Sequence, residues 1–149
     1  MTGRHVLLEI PSAFNMLKVV DSVCEAFGRL SGLDDDAVHC LAASVREAAA
    51  NAMRHGNGND HEKPVRVSFE VAATPSPACV VVRIVDQGRG FQPEQVADPL
   101  APHNLSMTGG RGLFLMRAFM DNVEVRGLKD GGTEVVLSKR IDQGAPQVR

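Results

Sequence analysis

The spacing of apolar residues changes several times along the chain, and each change marks an element. Val6, Leu7, Leu8 and Ile10 form a short apolar run that predicts a strand over Arg4 to Ile10. Ser12 then has the chemistry of a helix N-cap. After it Met16, Val20, Val23, Phe27 and Leu30 recur at intervals of three and four, the stripe of an amphipathic helix that ends before Gly32. A second helix is predicted to open at Asp34, Asp35 and Asp36, whose charges suit the positive end of a helix dipole, and to stop at Gly56. Val65 to Val71 and Val80 to Asp86 alternate with period two around Thr74-Pro75-Ser76-Pro77, which predicts a strand pair. From Gln92 to Thr108 the chain carries Pro93, Pro99 and Pro102 and no sustained period beyond a short turn near Glu94-Gln95-Val96. A loop of that length in a compact domain is usually functional, such as a lid, or mobile. A helix from about Gly112 to Asp121 follows. Two strands, Asn122 to Arg126 and Thr133 to Lys139, are joined through Lys129-Asp130-Gly131-Gly132 as a hairpin.

The predicted order is strand, helix, helix, strand, strand, lid, helix, strand, strand. Three helices cannot cover both faces of such a sheet. The expected fold class is therefore α/β: a two-layer α/β sandwich, with a mixed sheet of about five strands and three main helices on one face. Residues 1–140 read as a single domain and 141–149, with Gly144 and Pro146, as a disordered tail.

Composition narrows the function. The chain of 149 residues carries 16 Lys+Arg against 18 Asp+Glu and neither Trp nor Tyr. It has no basic run longer than Lys139-Arg140, so neither a phosphate-backbone footprint nor a base-stacking platform is present. The longest aliphatic stretch, Ala78 to Val82, is far short of the ~20 residues that cross a bilayer. The N-terminus has no secretory pattern, so neither nucleic acid nor membrane is an expected partner and a cytoplasmic location is expected. Cys24, Cys40 and Cys79 are spaced neither as a disulfide framework nor as a metal clip, and read as buried free thiols.

Candidate chemistry gathers in four places. On the second helix Ser44, Glu47, Asn51 and His55 form one polar stripe opposite Val38, Leu41, Val45, Ala48 and Ala52. A solvated face would explain such a stripe, but Asn is a poor mid-helix residue and Glu47 has no basic partner at the next turn. Asp86 ends a strand of β-branched residues, where an acid costs free energy unless a donor meets it, and Gly88 and Gly90 follow it. Gly109-Gly110-Arg111-Gly112-Leu113 opens a helix, a natural anion site, although a flexible hinge would read the same way. Gly131-Gly132-Thr133 opens the last strand and by itself reads as a plain hairpin.

In this order, Glu47-xxx-Asn51-xxx-His55-Gly56, Asp86-x-Gly88-x-Gly90-Phe91, Gly110-x-Gly112-Leu113 and Gly132-Thr133 resemble the N, G1, G2 and G3 boxes of the GHKL ATP-binding superfamily. Within it the chain is most similar to bacterial anti-sigma factors with serine-protein-kinase activity. The resemblance runs from the first strand to about Lys139 and includes Gly112-Leu113-Phe114-Leu115-Met116.

That resemblance implies a Bergerat-type ATP-binding fold, with ATP and Mg²⁺ as ligands. Asp86 would accept from the adenine amino group, with Thr133 supporting it directly or through water. Gly88 and Gly90 would let the backbone approach the nucleotide, and Asn51 would offer its amide oxygen to Mg²⁺. Gly110 and Gly112, followed by Leu113, would close the lid over the phosphates. Arg111 would pair with a phosphate oxygen or face solvent. Glu47 would be the general base, and His55 a structural residue that caps carbonyls at the helix end. The implied function is an anti-sigma factor that phosphorylates Ser or Thr on an anti-anti-sigma partner of the STAS type and also sequesters a sigma factor, as a homodimer. The alternative is a module that uses ATP as a conformational ligand and transfers nothing. A histidine kinase would need a phosphoacceptor hairpin, which His5, His39, His61 and His103 do not form. A topoisomerase or chaperone would need a transducer domain after Lys139.

Overall fold

A computed structural model describes residues 4–88 and 110–142. In chain order it contains β1 (His5–Ile10), α1 (Leu17–Ser31), α2 (Asp35–Asn51), β2 (Val65–Ala72), β3 (Cys79–Val85), α3 (Gly110–Phe119), β4 (Asn122–Gly127) and β5 (Thr133–Arg140). A 3-10 turn at Phe14–Met16 leads into α1, and a π turn at Ala52–Gly56 continues α2. The expected lid, Gly90 and Phe91, and the tail from Gln143 lie outside the described residues. No described helix is long and apolar enough to cross a membrane.

The two-layer reading holds, with one correction. The sheet runs β1-β2-β3-β5-β4 and every neighbouring pair is antiparallel, so it is not mixed. β3 and β4 do point the same way, as a crossover through a helix dictates, but β5 of the last hairpin inserts between them. No parallel ladder forms among the described residues.

The helices cover one face. A single register row, Val6, Phe69, Val82, Leu137 and Val123, crosses all five strands beneath them. Phe69, Val82 and Leu137 are fully buried, as are Leu41, Val45 and Met53 above them. Each such side chain contributes roughly 1.5–3 kcal/mol by leaving water. Among the described residues no helix packs on the opposite face. There Glu9 meets Arg66 at 2.8 Å and Arg126 meets Glu134 at 3.3 Å across neighbouring strands.

Three boundary expectations change. Ser12 is not an N-cap: the residues at the cap positions, Ala13 and Met16, make no side-chain cap, while Ser12 is buried and donates to the Lys63 carbonyl at 2.6 Å. The core stripe of α1 is Leu17, Val20, Cys24 and Phe27, whereas Leu30 is 67% exposed. Gly32 ends α1 in the left-handed region at φ 104°, and Leu33 folds back to donate to the Gly28 carbonyl at 3.0 Å. Leu33 thereby fills the apolar position that Leu30 was expected to hold. Finally, Ile141 is not tail: its amide donates to Ala78 at 2.8 Å and its side chain is in the core. α2 does open at the acidic cluster, where Asp34 caps it by accepting from the Ala37 amide at 2.8 Å.

Candidate functional site

The polar stripe of α2 is not a solvated face. Ser44 is fully buried and Glu47 and Asn51 are half-buried beneath the region where α3 packs on α2. The Ser44 hydroxyl and the Asn51 Oδ1 are buried with no hydrogen-bond partner among the described residues. A buried amide oxygen without a donor costs free energy unless a cation or water meets it, so Asn51 points to a ligand. Asn51 is also the last α-helical residue. After it the ladder widens, the Asn57 amide reaching back to Ala52 at 2.8 Å and that of Asn59 to Met53 at 2.8 Å. Such π turns recur at functional sites.

Glu47 meets α3 at Gly112. A Cβ at Gly112 would fall 2.4 Å from Glu47 Oε1, so only glycine lets the first turn of α3 lie against this carboxylate. Gly112→Ala should leave the fold intact, since alanine favours the helix by up to about 1 kcal/mol. Because the methyl must push the Glu47 side chain aside, any reaction using that carboxylate should slow by about tenfold or more. Thermal melting beside turnover checks this, and unchanged turnover would contradict it.

Asp86 sits just past the end of β3 and is 6% exposed. Its Oδ1 accepts from the Gly88 amide at 3.0 Å and the Thr133 amide at 3.1 Å, and its own amide donates to the Thr133 carbonyl at 3.1 Å. The Thr133 backbone thus meets Asp86 at both its carboxyl and its amide. The close approach needs glycine around it. Gly132 has φ 92°, and a Cβ there would fall 2.2 Å from the Asp86 carbonyl oxygen. A Cβ at Gly56 would strike the Asp86 carboxyl at 2.3 Å, and one at Gly88 would strike the Gly56 carbonyl at 2.0 Å. His55, Gly56, Asn57, Gly58, Lys63, Asp86, Gly88 and Thr133 line a cavity of about 340 Å³. His55 is exposed at its rim and caps no described carbonyl, contrary to its expected role. A larger cavity, about 640 Å³, lies between Asp34 at the start of α2 and Lys139 at the end of β5, away from this chemistry.

Burial pushes the Asp86 carboxyl above its ordinary value, and the Gly88 and Thr133 amides offset part of that rise. The folded chain thus holds this proton more tightly than the unfolded chain does. Stability that Asp86 contributes below the ordinary carboxylate value is lost as pH rises through its folded value. Asp86→Asn keeps an acceptor for both amides and carries no charge. In the nucleotide-free state it should therefore melt above wild type at pH 7, the gap closing towards pH 3. Calorimetric melts at the two pH values check this; an equal gap at both would contradict it.

The structure thus brings Asp86, Gly88 and Thr133 into one cluster and Glu47 and Gly112 into another, and Asn51 lies on α2 one turn beyond Glu47 towards the first. Leu113 is buried in the core and anchors α3. Gly110 and Arg111 occupy the first turn of α3, and Gly90 lies outside the described residues. Sequence reasoning missed Asn57, which is 3% exposed. Beside Gly58, Asn59 and Asp60 it reads only as turn chemistry.

A family profile of histidine kinase-like ATPase domains matches residues 10–139, a span that includes Glu47, Asn51, Asp86, Gly112 and Thr133. The chain belongs to this family. A serine-protein kinase RsbW from Bacillus velezensis is 28% identical to this ATPase-family chain over 94% of it and 91% of the relative. An anti-sigma F factor from Clostridium beijerinckii is 31% identical over 72% of the chain and 73% of the relative. A solved chain with RsbU and RsbW domains from Mycobacterium tuberculosis superposes with a TM-score of 0.66 over 98% of this chain at 17% identity. The present chain spans 35% of that longer one, and the likeness shows the fold.

Proposed function

We propose that the chain is an anti-sigma factor with ATP-dependent serine/threonine kinase activity toward an anti-anti-sigma partner, and that it also sequesters a sigma factor. The observation that carries the kinase reading is the Glu47 carboxylate packed on the first turn of α3, one helical turn from the orphaned Asn51 oxygen. The named kinase and anti-sigma relatives support the choice of partner class.

The residues present fit Mg²⁺ and ATP. Asn51 offers an unused buried oxygen of the hard type that Mg²⁺ takes. Asp86 offers a buried acceptor held by two amides, on the wall of the cavity of about 340 Å³. The amides at the start of α3, with Gly110 and Gly112, suit phosphate oxygens. When bound, Mg·ATP supplies the phosphoryl group and the leaving ADP.

Glu47 would accept the proton of an incoming Ser or Thr hydroxyl, a contribution on the order of 10²–10⁴-fold. Asn51, one turn further along the same helix, would hold the metal. Asp86 would fix the other end of the nucleotide, so alignment would come from two elements, α2 and the end of β3. The same reading includes a homodimer.

Incubating the purified chain with radiolabelled ATP, Mg²⁺ and candidate anti-anti-sigma proteins tests the proposal. Label on a partner Ser or Thr supports it. Tight ATP binding with no transfer to any partner would favour the ATP-gated binding module.

A further inference from the structure

Asn57 holds more partners than any turn requires. The two protons of its Nδ2 are shared among three acceptors, Ser12 Oγ at 3.0 Å, the Lys63 carbonyl at 3.0 Å and the Pro64 carbonyl at 3.1 Å. Its Oδ1 accepts from the Gln87 amide at 2.7 Å. The amide orientation is fixed by its partners, because a backbone N–H can only donate and two carbonyls can only accept. Ser12 spends its own proton on Lys63 at 2.6 Å, which leaves a lone pair to receive Nδ2. One buried side chain thus joins the entry to α1, the end of the π turn, the approach to β2 and the residue that follows Asp86.

The last of these contacts matters for the site. Gln87 lies between Asp86, whose carboxyl abuts Gly56, and Gly88, which abuts the Gly56 carbonyl. Asn57 follows Gly56 directly, so its bond to Gln87 ties the helix end to the loop that aims the carboxylate. We propose that Asn57 is a positioning residue for purine recognition: by holding the Gln87 amide it sets the aim of Asp86 and hence the preference for adenine. This rests on the nucleotide reading above. Adenine offers an amino donor where guanine offers a carbonyl, so a well-aimed carboxylate accepts from one and repels the other. A carboxylate free to shift discriminates less.

The test is calorimetric titration of Mg·ATP and Mg·GTP into wild type, Asn57→Ala, Asn57→Asp and Asp86→Ala, with melting curves to show that each is folded. Asn57→Ala should bind ATP about tenfold or more weakly and bring the ATP-to-GTP ratio towards one. Asn57→Asp keeps an acceptor for Gln87 and loses the donors, so it should melt lower yet keep most of the ratio. A purely structural role would lower melting in both and shift the ratio in neither. Hydrogen exchange in free wild type reads the clamp independently of any variant's folding: the Gln87 amide should be protected although its side chain is exposed. An unprotected Gln87 amide, or an unchanged ratio in Asn57→Ala with Asp86→Ala defective, overturns the Asn57 assignment alone. Wild type that takes up no ATP overturns the nucleotide reading, and this inference with it.

Discussion

Asp86→Ala should bind ATP about 10- to 150-fold more weakly than wild type, because a hydrogen bond to a buried charge contributes roughly 1.5–3 kcal/mol. The effect is expected at the large end. Asp86 is 6% exposed and its Oδ1 is committed to the Gly88 and Thr133 amides, so truncation removes the ligand's acceptor and leaves two amides facing a void. The free variant should nevertheless remain folded, since the missing carboxyl is one whose charged form burial disfavours. Calorimetry with Mg·ATP, alongside a melting curve, separates loss of binding from loss of fold. Wild-type affinity in Asp86→Ala would mean that adenine is read elsewhere.

The second large effect falls on rate rather than binding. Glu47→Gln preserves the shape and polarity of a side chain that packs on Gly112, and removes only its capacity to take a proton. Transfer to a partner hydroxyl should slow on the order of 10²–10⁴-fold while ATP affinity stays near that of wild type. Single-turnover transfer at saturating ATP measures the first and titration the second. If Glu47→Gln weakened ATP binding and left the transfer rate intact, Glu47 would be a nucleotide contact and not a base. The same pair of measurements on Gly112→Ala should show the direction seen for Glu47→Gln, to a smaller extent, since there the carboxylate is displaced and not neutralised.

Much of this was legible in the sequence because it depends on local periodicity. The stripe of Ser44, Glu47, Asn51 and His55 follows from helical spacing, and Asp86 at the end of a β-branched strand follows from alternation. What the chain order cannot encode is insertion: a helix between β3 and β4 suggests a parallel pair, and only the folded sheet has β5 between them. Ser12 was misread for a related reason. A serine ahead of an apolar stripe looks like a cap, but its partners, Asn57 and Lys63, lie far along the chain. Asn57 was missed because local turn chemistry explains an Asn beside a Gly. Its burial arises only when four separate segments meet. Leu30 fell off the core because a left-handed Gly32 lets Leu33 fold back into that space, a choice made by the cap and not by the stripe.

The central claim is spatial: the Asn51 end of α2 holds the metal of a nucleotide whose base reaches Asp86. Titrating Mn²⁺·ATP, with Mn²⁺ as a paramagnetic stand-in for Mg²⁺, into isotope-labelled protein tests it most directly. The account predicts that amide signals of Glu47, Asn51 and Gly112 broaden first, that those at Asp34 and Asp121 at the far end of the sheet stay sharp, and that Asp86→Ala suppresses the broadening. Broadening centred away from Asn51, or none at all at saturating Mn²⁺·ATP, would contradict it.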